Sequence, residues 1–202
     1  MAGHPQIRDF DRTAEALLEF AWGQGCRYAF INPGTDTYPI QEAWAARAES
    51  GLDSPRPVQC AHEFTAVSAA HGYFLAGGGA PQMVFVHVDV GTLFAGGAIS
   101  NARHGKAGLV LCAGRAPYTC GEVAGGKDNY IQWSQEPFDQ AGILRNYVKW
   151  HQELALPEAV STTVVRAFEM ARNEPPGPVY LTAAREVLMQ PARGVRVPGP
   201  RD

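Results

Sequence analysis

Glu63 is the acidic residue whose position in the sequence best suits chemistry. It comes shortly after the apolar segment Val58-Gln59-Cys60 and precedes a run with small residues at Ala66, Ala69, Ala70 and Gly72. Taken alone, an acid at this point is explained by the helix macrodipole, which stabilises it by about 0.3 kcal/mol or more. Small residues along one helix face let another helix approach closely, so we expect this helix to lie at an interface.

Three short turns are the other candidates for contact with a ligand. They are Asn32-Pro33-Gly34-Thr35-Asp36, Ala61-His62-Glu63 and Asp89-Val90-Gly91-Thr92. In open parallel sheets, ligands bind at the carboxyl ends of the strands, and glycine lets the backbone approach them closely. Since every such domain has turns of this kind, a purely structural role for each glycine also remains open.

Elements that would position these turns alternate along the chain. The pattern predicts these elements in order: a helix at 13–24, a strand at 28–31, a helix from Pro39, a strand at 58–60, a helix at 63–76, a strand at 83–88, a helix to about His104, a strand at 109–113 ended by Gly114, a long loop at 115–133, a helix opened by Pro157 and a final strand at 179–182. Strands separated by helices of this length indicate βαβ units. We therefore predict an α/β fold of three layers, doubly wound, with a parallel sheet of about six strands and helices on both faces.

The two ends of the chain differ in composition from this alternating region. Residues 1–190 are predicted to form one domain that begins with a short polar segment, MAGHPQIRDFD. Residues 191–202, PARGVRVPGPRD, are rich in Pro, Gly and Arg. This composition predicts a C-terminal tail, either a linker or a frayed end.

Composition excludes several classes of function. The chain has 202 residues, of which 46% are hydrophobic, and its net charge is -3. This charge gives no general attraction to nucleic acid or to an anionic membrane, and no apolar stretch approaches the ~20 residues that span a bilayer. The cysteines (Cys26, Cys60, Cys112 and Cys120) form no C-x-x-C pair, so we expect no metal site and a reducing, cytoplasmic location. No nucleotide-binding glycine motif is present.

The run around Glu63 resembles a family signature. His62-Glu63-x-x-Ala66, followed by Ala70, Gly72 and Tyr73, resembles the H-E-x-x-A-x-x-x-A-x-G-Y signature of the acetolactate synthase and pyruvate oxidase group of thiamine-diphosphate enzymes. Four further segments resemble that group in the same order: Phe30–Gly34, Ala98–Gly114, Gln135–Gly142 and Pro176–Leu181. The chain is therefore identified as similar to the pyrimidine-binding, N-terminal domain of these enzymes, which include sulfopyruvate decarboxylase.

The resemblance implies roles for particular residues. Glu63 would hydrogen-bond nitrogen N1′ of the cofactor's aminopyrimidine ring and so activate thiamine diphosphate for cleavage or formation of a C–C bond at a 2-oxo acid or related carbonyl. The enzyme would be a decarboxylase, a lyase or a carboligase. The residues implied to bind the cofactor are Asn32, Pro33, Gly34, Glu63, Val90 and Gly91. Gln135 is implied to reach the substrate, whereas His62 is expected to be structural.

One part of the family pattern is missing. These enzymes hold the diphosphate and Mg²⁺ through a Gly-Asp-Gly motif, and this sequence contains none. The resemblance thus implies a cofactor shared with a partner that holds the Mg²⁺. The partner is either a separate subunit, as in a dimer of heterodimers, or another part of a longer chain; Met1 and the form of the ending favour a separate subunit. The segment Val88–Phe94 keeps only Gly91 of the family's S-G-P-G-A-T-N turn, so its substrate-facing surface should differ. A non-catalytic assembly or regulatory homologue is the alternative.

Overall fold

The structure is a computed structural model and describes residues 6–197. Its strands, in chain order, are β1 (Ile7–Phe10), β2 (Tyr28–Ile31), β3 (Arg56–Gln59), β4 (Gln82–Val86), β5 (Leu109–Arg115), β6 (Trp150–Leu154), β7 (Pro178–Ala184) and β8 (Ala192–Arg196). Its helices are α1 (Thr13–Gly23), α2 (Tyr38–Glu49), α3 (Glu63–Ala76), α4 (Val88–His104), α5 (Ile131–Ser134), α6 (Val160–Arg172) and α7 (Arg185–Met189). No helix in the described range is long and apolar enough to cross a membrane.

Six strands form one parallel sheet in the order β3-β2-β4-β5-β7-β6. Its central strands β4, β5 and β7 are buried along almost their whole length, as their continuous apolar sequences predict. The predicted α/β class and the sheet of about six parallel strands are confirmed. Because β2 and β4 are neighbours, the turns that follow them meet at the same edge of the sheet.

Helices cover both faces of this sheet and define two hydrophobic layers. On one face, α1, α2 and α6 pack their apolar residues against the sheet, with Leu17, Trp44 and Phe168 among the buried side chains. On the other face, α3 and α4 pack through small residues such as Ala66 and Ala98. The three-layer prediction is therefore confirmed, and the helix that begins at Glu63 lies against α4.

The ends of the described chain form a structure that the sequence did not predict. Strands β1 and β8 pair in a separate antiparallel sheet, in which Ile7 is opposite Arg196. The prediction of a linker or frayed tail from residue 191 is wrong for Ala192–Arg196, because Ala192 and Val195 are buried in the core beside α6. The prediction of a short polar segment at the start of the chain was likewise wrong for Ile7–Phe10, which form strand β1. Residues 1–5 and 198–202 lie outside the described residues.

Several element boundaries also differ from the predictions. Strand β4 ends at Val86, and Val88 already begins α4, so Asp89–Thr92 is the first turn of a helix and not a loop. Strand β5 continues through Gly114. Strand β6 was missed because it is a partly exposed edge strand with few apolar residues.

Candidate active site

Glu63 begins α3, and its side chain is buried without a hydrogen bond. It is 6% exposed, and within residues 6–197 its carboxylate accepts no hydrogen bond. Its nearest basic atom is Nδ1 of His62, 3.9 Å from Oε2. This Nδ1 instead accepts a hydrogen bond of 3.1 Å from the backbone N–H of Phe64, which makes His62 the N-cap of α3 and gives it the structural role expected. The carboxylate oxygens are not sealed in the interior: they reach the surface at this edge of the sheet and are open to a ligand.

Gly91 makes room for this carboxylate on the first turn of α4. A Cβ atom at residue 91 would lie 3.2 Å from Oε1 of Glu63 and 3.1 Å from Cβ of Val86. A Cβ here would be in tight contact with both atoms, so the carboxylate or Val86 would have to shift by a few tenths of an ångström. The close approach brings the N-terminal turns of α3 and α4 together, and both helix dipoles favour negative charge at this point.

A second polar group lies at the same edge of the sheet. His87 directly follows β4, and its Nδ1 donates to Oδ1 of Asp36, which follows β2. Its Nε2 lies 2.9 Å from Nε2 of Gln135, whose amide can donate to it. The other oxygen of Asp36 accepts from the backbone N–H of Val88 at 2.9 Å. The three side chains thus form one hydrogen-bonded chain from a buried carboxylate to a half-buried amide.

The electrostatic surroundings raise the pKa of His87 above its ordinary value of 6.5. The hydrogen bond with Asp36 is the main cause; burial opposes it, and the negative charges of Asp36, Asp89 and Glu63 add to it. Gln135 can serve both protonation states of the ring, because a half-turn of its amide presents an oxygen to Nε2–H in place of a donor. The ring is therefore suited to exchanging a proton.

Two glycines make the contact between Asp36 and His87 possible. A Cβ at Gly34 would lie 2.2 Å from Nδ1 of His87, and a Cβ at Gly114 would lie 1.5 Å from Oδ2 of Asp36. No side chain fits at either position. Val88 adds strain, because its φ of +28° is unfavourable for a β-branched residue. Such outliers persist where the surrounding contacts enforce them, here partly through Asp36.

The long loop that carries Gln135 is held in place by two buried charged residues of α7. Arg185 donates to the carbonyl oxygens of Gly125 at 2.9 Å and Gly126 at 2.6 Å, and its guanidinium pairs with Asp128. Glu186 accepts hydrogen bonds of 3.0 Å from the backbone N–H of Tyr118. Burial is the main cause that raises the pKa of Glu186, while hydrogen bonds from Thr119 oppose it. These contacts fix the part of the loop from residue 118 to 128.

The predicted site residues fall into two groups. Glu63 and Gly91 are in contact, whereas Gly34 and Gln135 contact His87. The backbone N–H of Asn32 donates to the carbonyl of Phe85 at 3.1 Å, so it ties β2 to β4. The last two predicted residues, Pro33 and Val90, are exposed on the same edge. Their predicted contact with a cofactor stays a prediction.

His87 and Asp36 are the functional candidates that sequence reasoning missed. The sequence pattern includes His87 in the apolar strand and Asp36 in a turn. The available signal was a titratable residue at the end of one apolar strand and another in the turn after a second strand. Without knowing that β2 and β4 are neighbours, nothing in the sequence brings these residues together.

An exposed apolar surface surrounds Glu63. We call it the α3–α4 face, and it consists of Phe64, Val90, Leu93 and Phe94, which are 43%, 39%, 60% and 55% exposed. The ring of Phe64 also lies over Gly97, where a Cβ would be 3.4 Å from it. Exposed apolar patches of this kind mark interaction sites. The small residues Ala66 and Ala70 pack inside the domain, so the expected interface stays a prediction, and the α3–α4 face is the exposed apolar surface beside Glu63 on which it would form.

Comparison with known proteins identifies the family of this chain. Benzoylformate decarboxylase of Pseudomonas aeruginosa is 28% identical over 177 residues, which cover 88% of this chain and 30% of that protein. The structure of a thiamine diphosphate-dependent 4-hydroxybenzoylformate decarboxylase from Rhodococcus jostii RHA1 has a TM-score of 0.73 at 24% identity, covering 93% of this chain and 32% of its own. The chain thus spans about a third of the length of both relatives. Residues 11–143 match the family described as thiamine pyrophosphate enzyme, N-terminal TPP binding domain, and the chain belongs to this family.

Proposed function

We propose that this chain supplies the aminopyrimidine-binding half of a thiamine-diphosphate-dependent enzyme that decarboxylates a 2-oxo acid, with Glu63 as the cofactor-activating carboxylate. One observation carries the proposal: the side chain of Glu63 is largely buried at the carboxyl edge of a parallel sheet, and its carboxylate accepts no hydrogen bond within residues 6–197 and keeps contact with solvent. A cofactor ring that brings a proton-bearing nitrogen to this carboxylate would satisfy it.

The residues around Glu63 fit an aromatic heterocycle. Gly91 leaves the carboxylate uncovered on one side, and the α3–α4 face offers apolar side chains beside it. Glu63 would hold the aminopyrimidine by sharing the proton of N1′, and the backbone turn at Asn32–Gly34 would border it. When bound, thiamine diphosphate supplies a thiazolium that stabilises the carbanion formed at the cleaved carbonyl carbon.

His87 is the group we assign to proton transfer. Its raised pKa gives it a protonated fraction near neutral pH, and Asp36 fixes the orientation of the ring. Since Nδ1 is bonded to Asp36, the Nε2–H of a protonated ring would have to exchange Gln135 for the carboxylate of a 2-oxo acid before it donates a proton to the product. Gln135 contacts Nε2 of His87 and would orient the ring; its contact with the substrate stays a prediction.

The choice of decarboxylation over other C–C chemistry rests on the relatives, both of which are decarboxylases by name. Their names also identify 2-oxo acids with an aromatic group as the substrates to test first. Lyase and carboligase activity share the same cofactor step and remain secondary candidates.

This chain has no Gly-Asp-Gly motif, so binding of the diphosphate would require a second unit. We propose that this unit carries the Gly-Asp-Gly motif and Mg²⁺ and that it packs on the α3–α4 face, so that the cofactor is enclosed between the two. As a separate subunit, it would give a dimer of heterodimers.

The test is hydrogen–deuterium exchange at C2 of thiamine diphosphate, together with benzoylformate decarboxylation, in the assembly of this chain with a Gly-Asp-Gly-bearing unit. Glu63→Gln should lower both rates by about a thousandfold, since it removes the acid–base group but keeps the shape. Glu15→Gln is the matched control, because it makes the same change in the first turn of α1, away from the site. A Glu63→Gln assembly that exchanges C2 at the unaltered rate would overturn the assignment and leave the non-catalytic homologue as the better reading.

A further inference from the structure

A basic groove of about 630 Å³ lies at the amino edge of the sheet, opposite the candidate active site. Its charged lining residues are Arg103, Lys106, Arg145 and Lys149, and its apolar wall is formed by Val148 and Pro175–Pro178. The lining contains no acidic residue. Four cations in one groove are unexpected on a chain whose net charge is -3.

The groove is built where three neighbouring strands begin. Arg103 and Lys106 precede β5, Arg145 and Lys149 precede β6, and the proline segment leads into β7. These strands are adjacent in the order β5-β7-β6. Strand β5 has seven residues, so the groove and the carboxyl edge are separated by roughly 20 Å. A ligand in the groove would therefore not touch Glu63 or His87.

The charges of the groove are only partly neutralised. Arg145 pairs with Asp139 at 2.6 Å, and the ammonium of Lys149 donates to the carbonyl oxygen of Asn173. Within residues 6–197, neither Arg103 nor Lys106 has an ion-pair partner, and both are exposed. These two side chains are available to an anion without breaking an existing contact.

The backbone at Lys106 is a second, independent observation. Lys106 has a φ of +50° and closes α4 through hydrogen bonds of Lys106 N to Arg103 O and of Ala107 N to Ala102 O. Glycine is the favoured residue at this left-handed position, because a Cβ is unfavourable there. Lys106 therefore occupies a conformation that favours glycine, and its side chain lies on the rim of the basic groove.

We propose that this groove binds a phosphorylated small molecule of nucleoside-diphosphate size. Its volume is within the range of small-molecule sites, about 300–1,000 Å³. Phosphate oxygens would accept hydrogen bonds from Arg103, Lys106 and Arg145, and Pro175 and Pro176 would contact the apolar part of the ligand. The proposal is independent of the function assigned to Glu63.

The binding test uses calorimetric titration of the full chain with ADP, adenosine and inorganic pyrophosphate at low and high salt. ADP should bind, and its affinity should fall as the salt concentration rises. Adenosine should bind at least tenfold more weakly than ADP. Pyrophosphate binding as tightly as ADP would also support the site and would assign recognition to the phosphates alone. No ADP binding at millimolar concentration, or equal binding of adenosine, would overturn the proposal.

Variants then locate the binding. Lys106→Gly should lower the affinity for ADP about tenfold. Its melting temperature should be no lower than that of the wild type, because glycine adopts the left-handed conformation without strain. Arg103→Gln should weaken ADP similarly. Arg56→Gln, an exposed cation on the distant strand β3, and Glu63→Gln should leave the affinity unchanged. ADP affinity that is insensitive to both groove variants, or that is lost in Glu63→Gln, would contradict the location.

Discussion

Substituting Gly114 by alanine tests the polar chain beside the active site directly. Gly114 lies within β5, and an added Cβ would lie 1.5 Å from Oδ2 and 2.3 Å from Cγ of Asp36. Non-bonded atoms cannot approach so closely, and both groups are held on buried elements. The carboxylate of Asp36 must therefore turn away, which breaks its hydrogen bond from Val88 and its contact with His87.

The expected loss of stability combines two effects. Losing a hydrogen bond to a buried charged group costs about 1.5–3 kcal/mol. Forcing an extra methyl group into a packed interior adds about 1–3 kcal/mol. We therefore expect Gly114→Ala to lower the free energy of unfolding by about 3–5 kcal/mol, which for a chain of this size lowers the melting temperature by roughly 6–20 °C.

Gly96→Ala is the matched control, because its added Cβ would have its nearest neighbour at 3.9 Å. Gly96 lies inside α4, where alanine is favoured over glycine by about 0.5–1 kcal/mol, so this variant should be slightly more stable than the wild type. The assay is denaturant unfolding of both variants, with an NMR titration of the His87 ring. If Gly114→Ala is as stable as Gly96→Ala and leaves the titration of His87 unchanged, the described contact between Asp36 and His87 is wrong.

Two further predictions concern the groups that hold this site. The pairing with Asp36 raises the pKa of His87. The pairing therefore contributes its full stability below about pH 6.5, and this contribution is lost as pH rises through the folded-state pKa of His87. Asp36→Asn should cost more stability at about pH 6 than at about pH 9, as measured by urea unfolding. Arg185→Met should release the loop at residues 118–128, speed amide hydrogen exchange there and lower the free energy of unfolding by about 2 kcal/mol. Arg185→Lys should not restore the wild-type behaviour, because one ammonium cannot replace the contact that two guanidinium nitrogens make.

Each of these has a clear contrary outcome. A destabilisation by Asp36→Asn that is equal at both pH values would show that the charge on His87 plays no part in the pairing. Unchanged exchange of the loop in Arg185→Met, or full recovery in Arg185→Lys, would show that other contacts hold the loop. Arg193→Met is a suitable control for the second experiment, because the ion pairs of Arg193 in the described part of the chain, with Asp9 at 4.0 Å and Asp11 at 3.7 Å, are long and exposed.

The sequence predicted those parts of the fold that depend on local pattern. The apolar strands β4, β5 and β7 and the start of α3 at Glu63 follow from continuous burial and from an acid after an apolar run. Strands β1 and β8 were missed because each is short and because their pairing joins the two ends of the chain. Such a long-range pairing leaves no periodic signal in either segment.

In the candidate site, too, the sequence indicated what depends on local pattern and missed what depends on long-range contacts. Glu63 and Gly91 were identified from a motif and a glycine turn, and their contact follows from the packing of α3 on α4. The role of His87 was missed because it depends on sheet order: β2 and β4 are neighbours although β3 lies between them in sequence. Gln135 was named for its motif, whereas its partner is known only from the way the long loop folds back over the sheet.

The central claim is that the carboxylate of Glu63 receives the aminopyrimidine ring. Its most direct test is a ¹H–¹⁵N NMR titration of this chain with thiamine, which carries the aminopyrimidine ring but no diphosphate. We expect saturable shifts at the amides of Glu63 and Gly91 at millimolar thiamine, and their loss in Glu63→Gln but not in Glu15→Gln. Shifts confined to another surface, or equal shifts in Glu63→Gln, would contradict the claim.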